Sequence, residues 1–289
     1  MASHPGNRRM PIEIHMMPEA GFCFGVERAV ERAVAAAKEA GRAVYTLGEV
    51  VHNPVVVQSL EALGIQAAEL EEIPPDVVVV IRSHGVSPHV EQRLTELNVD
   101  IIDATCPRVR RVQLAAEKYR EDCQAVVIVG RKDHPEVQGV LGRCGDNVEV
   151  VNSPQEAEHL PFKASRAVLF QTTFNPSLVD GVVDALRDRT GDLTIEDTLC
   201  PVVRNRRDKV RELAEKVDAL VVVGGSNSSN TNALMDIGIE AGKTTLCVET
   251  ANELDLCQLK GIDSLAVVGG TSTPRESILE VCERIRSGE

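Results

Sequence analysis

Apolar side chains fall along the chain in short unbroken runs, at 77–81, 125–129, 167–170, 220–223 and 265–268. Aliphatic runs without alternation suit strands covered on both faces, the condition of a parallel sheet. Stripes of helical period lie between them. Val109, Val112, Ala116 and Tyr119 share one face after Cys106; Val203, Val210, Ala214 and Val217 do so after Cys200; Ala29, Val30, Ala33, Val34 and Ala37 follow Cys23. The polar loops after the runs carry helix-start signals: Ser87-Pro88 behind Ser83-His84-Gly85, Pro135 behind Asp133-His134, and Asn175-Pro176 behind Thr172-Thr173. This alternation predicts an α/β fold of parallel βα units, with ligand sites at the carboxyl ends of strands, where loops feed helix N-termini.

Gly21-Phe22-Cys23-Phe24-Gly25, Asp103-Ala104-Thr105-Cys106-Pro107 and Asp197-Thr198-Leu199-Cys200-Pro201 echo one another, each placing a cysteine just before a helical stripe. Pro107 and Pro201 suit the first helical position. A spacing of about 90 residues divides the chain into pseudo-repeated α/β units. Their expected extents are 11–106, 107–199 and 200–289, behind a flexible extension over 1–10.

Composition narrows the function. The 289 residues are 43% apolar and 26% charged, enough for a packed core. Lys plus Arg number 31 against 44 for Asp plus Glu, a net charge of −13 that disfavours nucleic acid and anionic membranes as partners. Aromatic residues are only 2%, too few for base-stacking platforms. The apolar runs are too short to span a membrane. Residues 1–10 hold two arginines with no apolar stretch behind them, so no secretory signal is read and a cytoplasmic protein is expected. There the eight cysteines stay reduced, which leaves metal binding, catalysis or packing to explain them.

Cys23, Cys106 and Cys200 are similarly framed, and a helix N-terminus favours the thiolate that binds metal. They are read as metal ligands that leave one coordination position open. Spacing does not identify the metal, because the local motifs of zinc ribbons and bacterial ferredoxins are missing. Cys123, Cys144, Cys247, Cys257 and Cys282 lack the framing and are read as packing residues. His52, His84 and His134 each precede a helix start, and imidazoles with helix N-termini make an anion site. Ser228-Ser229-Asn230 and Ser272 follow Gly224-Gly225 and Gly269-Gly270, loops suited to phosphate; for Ser272, a capping box over 273–276 is the equal alternative. Glu136 either complements its helix dipole or supplies a proton, with Thr172 as relay.

Assembled, these motifs resemble the 4-hydroxy-3-methylbut-2-enyl diphosphate reductase (IspH/LytB) family over about residues 21–280. The carriers are Gly-Phe-Cys-Phe-Gly-Val at 21–26, Val-His-Asn-Pro at 51–54, Ser-His-Gly-Val at 83–86, Asp-Ala-Thr-Cys-Pro at 103–107, His-Pro-Glu-Val at 134–137, Gln-Thr-Thr at 171–173, Asp-Thr-Leu-Cys at 197–200, Asn-Ser-Ser-Asn-Thr at 227–231 and Ser-Thr-Pro at 272–274. The resemblance implies a trefoil of three α/β units around a central [4Fe-4S] cluster on Cys23, Cys106 and Cys200. It implies a diphosphate held by His52, His84, His134, Ser228, Ser229, Asn230 and Ser272, and a proton delivered by Glu136 with Thr172 and His134. The implied reaction is reductive dehydroxylation to isopentenyl and dimethylallyl diphosphates, the last step of the methylerythritol phosphate route, with electrons from a ferredoxin or flavodoxin.

Arg204, Arg206, Arg207, Lys209 and Arg211 form a basic run, either a docking patch for an acidic donor or a solvated helix face. The segment 201–207 departs from the family pattern Tyr/Arg-Ala-Thr-x-x-Arg-Gln. That departure leaves a paralogous reductase with another substrate as one alternative; a non-catalytic iron-sulfur sensor and a three-thiolate zinc hydrolase are the others.

Overall fold

The computed structural model describes residues 12–122 and 124–288, so the expected extension over 1–10 and Cys123 lie outside the described residues. The described chain opens with β1 (Glu13–Met16) and α1 (Phe24–Glu39). Then come β2 (Val44–Leu47), α2 (Pro54–Glu61), β3 (Ile65–Ala68), β4 (Val78–Ile81), α3 (Pro88–Glu96) and β5 (Asp100–Asp103). After α4 (Pro107–Glu121) follow β6 (Ala125–Val129), α5 (Pro135–Cys144), β7 (Val148–Val151), α6 (Pro154–Glu158), β8 (Lys163–Phe170), α7 (Val179–Arg187) and β9 (Thr190–Glu196). The last third holds α8 (Pro201–Ala214), β10 (Ala219–Val223), α9 (Ser229–Glu240), β11 (Thr244–Val248), β12 (Ser264–Gly269) and α10 (Arg275–Ser287).

Among the described residues twelve strands make three four-stranded sheets, ordered β3-β2-β4-β5, β7-β6-β8-β9 and β11-β10-β12-β1. All their pairings are parallel. Counted by arrival, the first two sheets share the order second, first, third, fourth. The remaining sheet repeats it with β10, β11 and β12, and its fourth place is taken by β1, where Glu13 pairs with Ser264 and Met16 with Val267. Residues 13–16, expected in the first third, thus complete the sheet of the last third. A parallel strand needs no neighbour in sequence, and four residues of Glu-Ile-His-Met carry no signal of which sheet they join.

By contacts the chain falls into two compact units. One runs to Phe22 and adds Asn53–Val55 and everything from Arg206; its core joins Met17, Val221, Val223, Leu234, Val267 and Ile278. The other comprises Cys23–His52 and Val56–Asn205, with separate clusters on the β2–β5 and β6–β9 sheets. The apolar runs of the sequence are the inner strands. All residues of β4, β6 and β10 are buried, because helices cover both faces, whereas the edge strand β5 is exposed at Asp100 and Ile101. Among the described residues no helix is long and apolar enough to cross a membrane.

Among the buried charged residues described, Arg166 is sealed most completely. Arg166 on β8 is fully buried and donates to Glu149, to the Arg189 and Pro161 carbonyls and to Thr190 Oγ1. Arg166→Met removes the buried partner of Glu149, which keeps only Lys163 at 3.3 Å, and is expected to cost about 3–5 kcal/mol, read as a lower urea midpoint. A loss below about 1 kcal/mol would show the network to be dispensable.

Candidate active site

Each of the three framed cysteines follows the fourth strand of a sheet: Cys23 after β1, Cys106 after β5, Cys200 after β9. Each carbonyl accepts the first helical hydrogen bond, from Glu27, Arg110 and Arg204 respectively, so all three stand at a helix N-cap. At Cys106 and Cys200 the same device builds the approach. Asp103 Oδ1 accepts the Thr105 N–H at 2.9 Å, and Asp197 Oδ1 accepts the Leu199 N–H at 3.2 Å, an Asx turn that delivers the cysteine to the helix start. Arg110 then pairs with Asp103 at 2.6 Å and Arg204 with Asp197 at 3.2 Å. The cysteine amides donate to Ser83 O and Thr172 O, both 2.9 Å, tying each thiol to the loop after the third strand of its sheet.

All three cysteines are free, half-buried and within the unit that begins at Cys23. Burial pushes the Cys23 thiol up, and the charges of Cys106 and Cys200 push it further, while the Val26 and Gly25 amides favour its thiolate. Cys106 and Cys200 therefore stand near enough to act on Cys23. Gly25 is the close approach that permits this, since a Cβ there would lie 2.6 Å from Cys106 Sγ. The first turns of α4 and α8 hold no acidic residue, although acids are favoured at helix N-termini. Three thiols at helix N-caps, two of them on helices whose first turn holds no acid while α1 carries Glu27 there, fit a thiolate-held metal group.

The loops after the first and third strands carry the second set. His52 follows β2, His84 follows β4 and His134 follows β6, and their rings form a triangle with centroids 4.8, 5.3 and 5.8 Å apart. Their donor atoms lie within 4.8 Å of one another, so one small group can meet all three. Each imidazole is held neutral near pH 7. Burial drives His134 down to about 4, aided by the other charges around it, and drives His52 and His84 down as well. His134 Nδ1 accepts the Glu136 N–H at 3.2 Å as the cap of α5, which leaves the proton on Nε2 as a donor. The Nδ1 of His84 is sealed from solvent without a partner.

Glu136 is 2% exposed at the first turn of α5. Its Oε1 accepts the Thr172 N–H at 2.6 Å and its Oε2 the Thr172 hydroxyl at 2.8 Å, just after β8. Burial outweighs these hydrogen bonds and raises the carboxyl from the ordinary range to about 7. A carboxyl half-loaded at neutral pH is suited to give a proton.

In the other unit, the loops after β10 and β12 carry Ser228 and Ser272. Ser228 caps α9, accepting the Thr231 N–H at 3.3 Å, so Ser229 and Asn230 lie in its first turn. Asn230 is 3% exposed, and neither its oxygen nor its nitrogen has a hydrogen-bond partner. A buried amide with both ends unmatched is expensive unless a ligand completes it. Ser272 is buried, and its carbonyl accepts from Asn53 Nδ2 at 2.9 Å. The capping box over 273–276 does not form. Thr273 Oγ1 donates to Val223 O, and Pro274 holds the N-cap of α10 without a side-chain bond.

The basic run on α8 divides into buried residues and others at the surface. Arg206 is buried and donates to the carbonyls of Glu19, Gly21, Gly269 and Gly270. Arg207 is buried, and Arg204, Lys209 and Arg211 pair with Asp197, Glu19 and Asp208. The pairing of Asp103 with Arg110 and of Asp197 with Arg204 is not read from the sequence alone, although the shared spacing Asp-x-x-Cys-Pro-x-x-Arg displays it.

Parallel sheets whose strand ends gather free thiols, neutral imidazoles and a protonatable carboxyl define an α/β enzyme with a metal-compatible thiol set. The chain belongs to the LytB protein family, whose profile matches residues 14–286. It is 40% identical over 280 residues to a 4-hydroxy-3-methylbut-2-enyl diphosphate reductase of Caldanaerobacter subterraneus subsp. tengcongensis, covering 96% of this chain and 97% of that one. A protein of the same description from Geobacter sulfurreducens is 38% identical over 276 residues, covering 95% and 97%. Among solved structures, an (E)-4-hydroxy-3-methyl-but-2-enyl diphosphate reductase described as the terminal enzyme of the non-mevalonate pathway matches with TM-score 0.71 at 35% identity, over 96% of this chain and 99% of that one. The Plasmodium falciparum E-1-hydroxy-2-methyl-but-2-enyl-4-diphosphate reductase shares the fold, with TM-score 0.89 at 24% identity over 95% and 88%.

Proposed function

We propose that this chain reduces 4-hydroxy-3-methylbut-2-enyl diphosphate, using two electrons and two protons to replace the C–O bond of the allylic alcohol by C–H and release water. Isopentenyl and dimethylallyl diphosphates are the products. The observation that carries the reading is the Glu136 carboxyl, buried on Thr172 beside three neutral imidazoles and poised near pH 7. A passive iron-sulfur sensor has no use for such a group.

Cys23, Cys106 and Cys200 would hold a [4Fe-4S] cluster, which supplies single electrons and an open coordination position. His134 donates from Nε2 to a phosphoryl oxygen, and His52 and His84 complete that grip; Ser228, Ser229, Asn230 and Ser272 are further proposed diphosphate ligands. Glu136 gives the proton that lets the hydroxyl depart as water, with the Thr172 hydroxyl as relay. A ferredoxin or flavodoxin is the proposed electron donor, and the reducing cytoplasm the proposed place, consistent with free thiols at every described cysteine.

Anaerobic purification, iron and sulfide analysis, electron paramagnetic resonance and turnover with a reduced viologen test the reading together. A brown protein that consumes the diphosphate is expected. Brown protein without turnover supports a sensor or another substrate, and colourless zinc protein excludes both the cluster and the reductase. Asn230→Ala is expected to raise KM for the diphosphate by about 10-fold or more while leaving the unliganded protein as stable as before, because the lost amide has no partner to strand. An unchanged KM would remove Asn230 from the substrate.

A further inference from the structure

Arg82 stands between the end of β4 and His84, and nothing in the proposed reaction uses it. Its side chain lies over the backbone of Gly48, where a Cβ would come 2.4 Å from Nη1 and where φ is +64°, so glycine alone leaves the room. The Nε is sealed from solvent without a hydrogen-bond partner, and among the described residues the guanidinium has no ion pair. It lines a cavity of about 280 Å³ together with Glu69, Leu70, Ser87, Asp133 and Gln138. A largely buried cation with no ion pair is a costly arrangement, tolerated where a ligand supplies the opposite charge.

The charge of Arg82 reaches each ring of the histidine triangle. Arg131 acts on His52 and His134 but is half exposed and paired with Asp133. The carboxylates that oppose Arg82 are Glu69, which lines the same cavity, and Glu49, 3.4 Å from His52 Nδ1; neither forms an ion pair with it. Neutral imidazoles donate hydrogen bonds but bring no positive charge, whereas a diphosphate ester brings several negative ones.

We infer that Arg82 is the standing positive charge of the histidine site, a positioning residue that acts through the field at His52, His84 and His134 to draw in and hold a diphosphate. This rests on the reading that those rings bind the substrate diphosphate. Because the charge acts across the rings and not as a two-pronged contact, lysine should replace arginine here, whereas at a bidentate contact it would not. A charge felt equally by bound substrate and transition state lowers KM and leaves kcat alone.

The test is calorimetry with inorganic pyrophosphate on the anaerobically purified full chain, followed by turnover. Arg82→Gln is expected to weaken pyrophosphate about tenfold or more, with Arg82→Lys within about threefold of the original. The KM for the diphosphate should rise in the glutamine variant with kcat within about threefold. If Arg82→Gln does not fold, Glu69→Gln reads the same field from an exposed position and should tighten pyrophosphate by about twofold. Equal pyrophosphate affinity in the original and Arg82→Gln overturns the inference, as does a lysine variant as weak as the glutamine one, or unchanged affinity in Glu69→Gln. An original chain that does not bind pyrophosphate while its variants fold normally overturns instead the diphosphate site on which the inference stands.

Discussion

Glu136→Gln is expected to lower turnover by on the order of 10²–10⁴ while iron content and diphosphate affinity stay near those of the original chain. Glutamine keeps the shape and both contacts with Thr172: its oxygen accepts the Thr172 N–H, and its amide donates to the Thr172 hydroxyl oxygen. Only the transferable proton is lost. The original chain should show a rate that falls as pH rises above about 7, where the carboxyl empties, and the variant should lack that limb. The sign for stability follows from the same shift. A carboxyl whose folded pKa is raised from 4.5 to about 7 binds protons more tightly in the native state, so stability falls as pH rises through that window and stays lowered above it. The glutamine variant, free of this penalty, should be the more stable of the two above pH 7. Turnover within about threefold of the original would remove Glu136 from the proton route.

What the sequence disclosed follows from what surrounds each segment. The five apolar runs became β4, β6, β8, β10 and β12, inner strands whose burial on both faces forces an unbroken aliphatic code. The inner strand β2, Val-Tyr-Thr-Leu, escaped because Thr46 satisfies its hydroxyl on Gly48 O and so sits buried while reading as polar. The edge strands β7, β9 and β11 mix charged or hydroxylated residues with apolar ones and read as loops. The place of β1 was beyond reach, since its partners lie some 250 residues away. In the site, the cysteines were legible because three copies of one framing occur, each after the fourth strand of its sheet. Arg206 and Arg82 were not, because an arginine reads as solvated until the chain folds carbonyls or a glycine backbone around it.

Cys106→Ser is expected to remove most of the iron and all turnover, whereas Cys257→Ser, on an exposed 3₁₀ turn after β11, should keep both. A serine hydroxyl does not ionise near neutral pH and is a poor partner for iron, whereas the thiol at this helix N-cap is held by Asp103 and by the Cys106 N–H to Ser83 O bond with its sulfur toward Gly25. Gly25→Ala probes the same sulfur from the other side. Its new methyl would meet Cys106 Sγ at 2.6 Å, so either the sulfur or the start of α1 must shift. That variant should retain a folded chain, because α1 tolerates alanine better than glycine, yet bind iron more weakly than the original. Iron content per chain, measured anaerobically for the three variants side by side, orders them. Equal iron in Cys106→Ser and Cys257→Ser would mean that the three N-cap sulfurs do not share a metal group, and with it would fall the source of electrons on which the reduction depends.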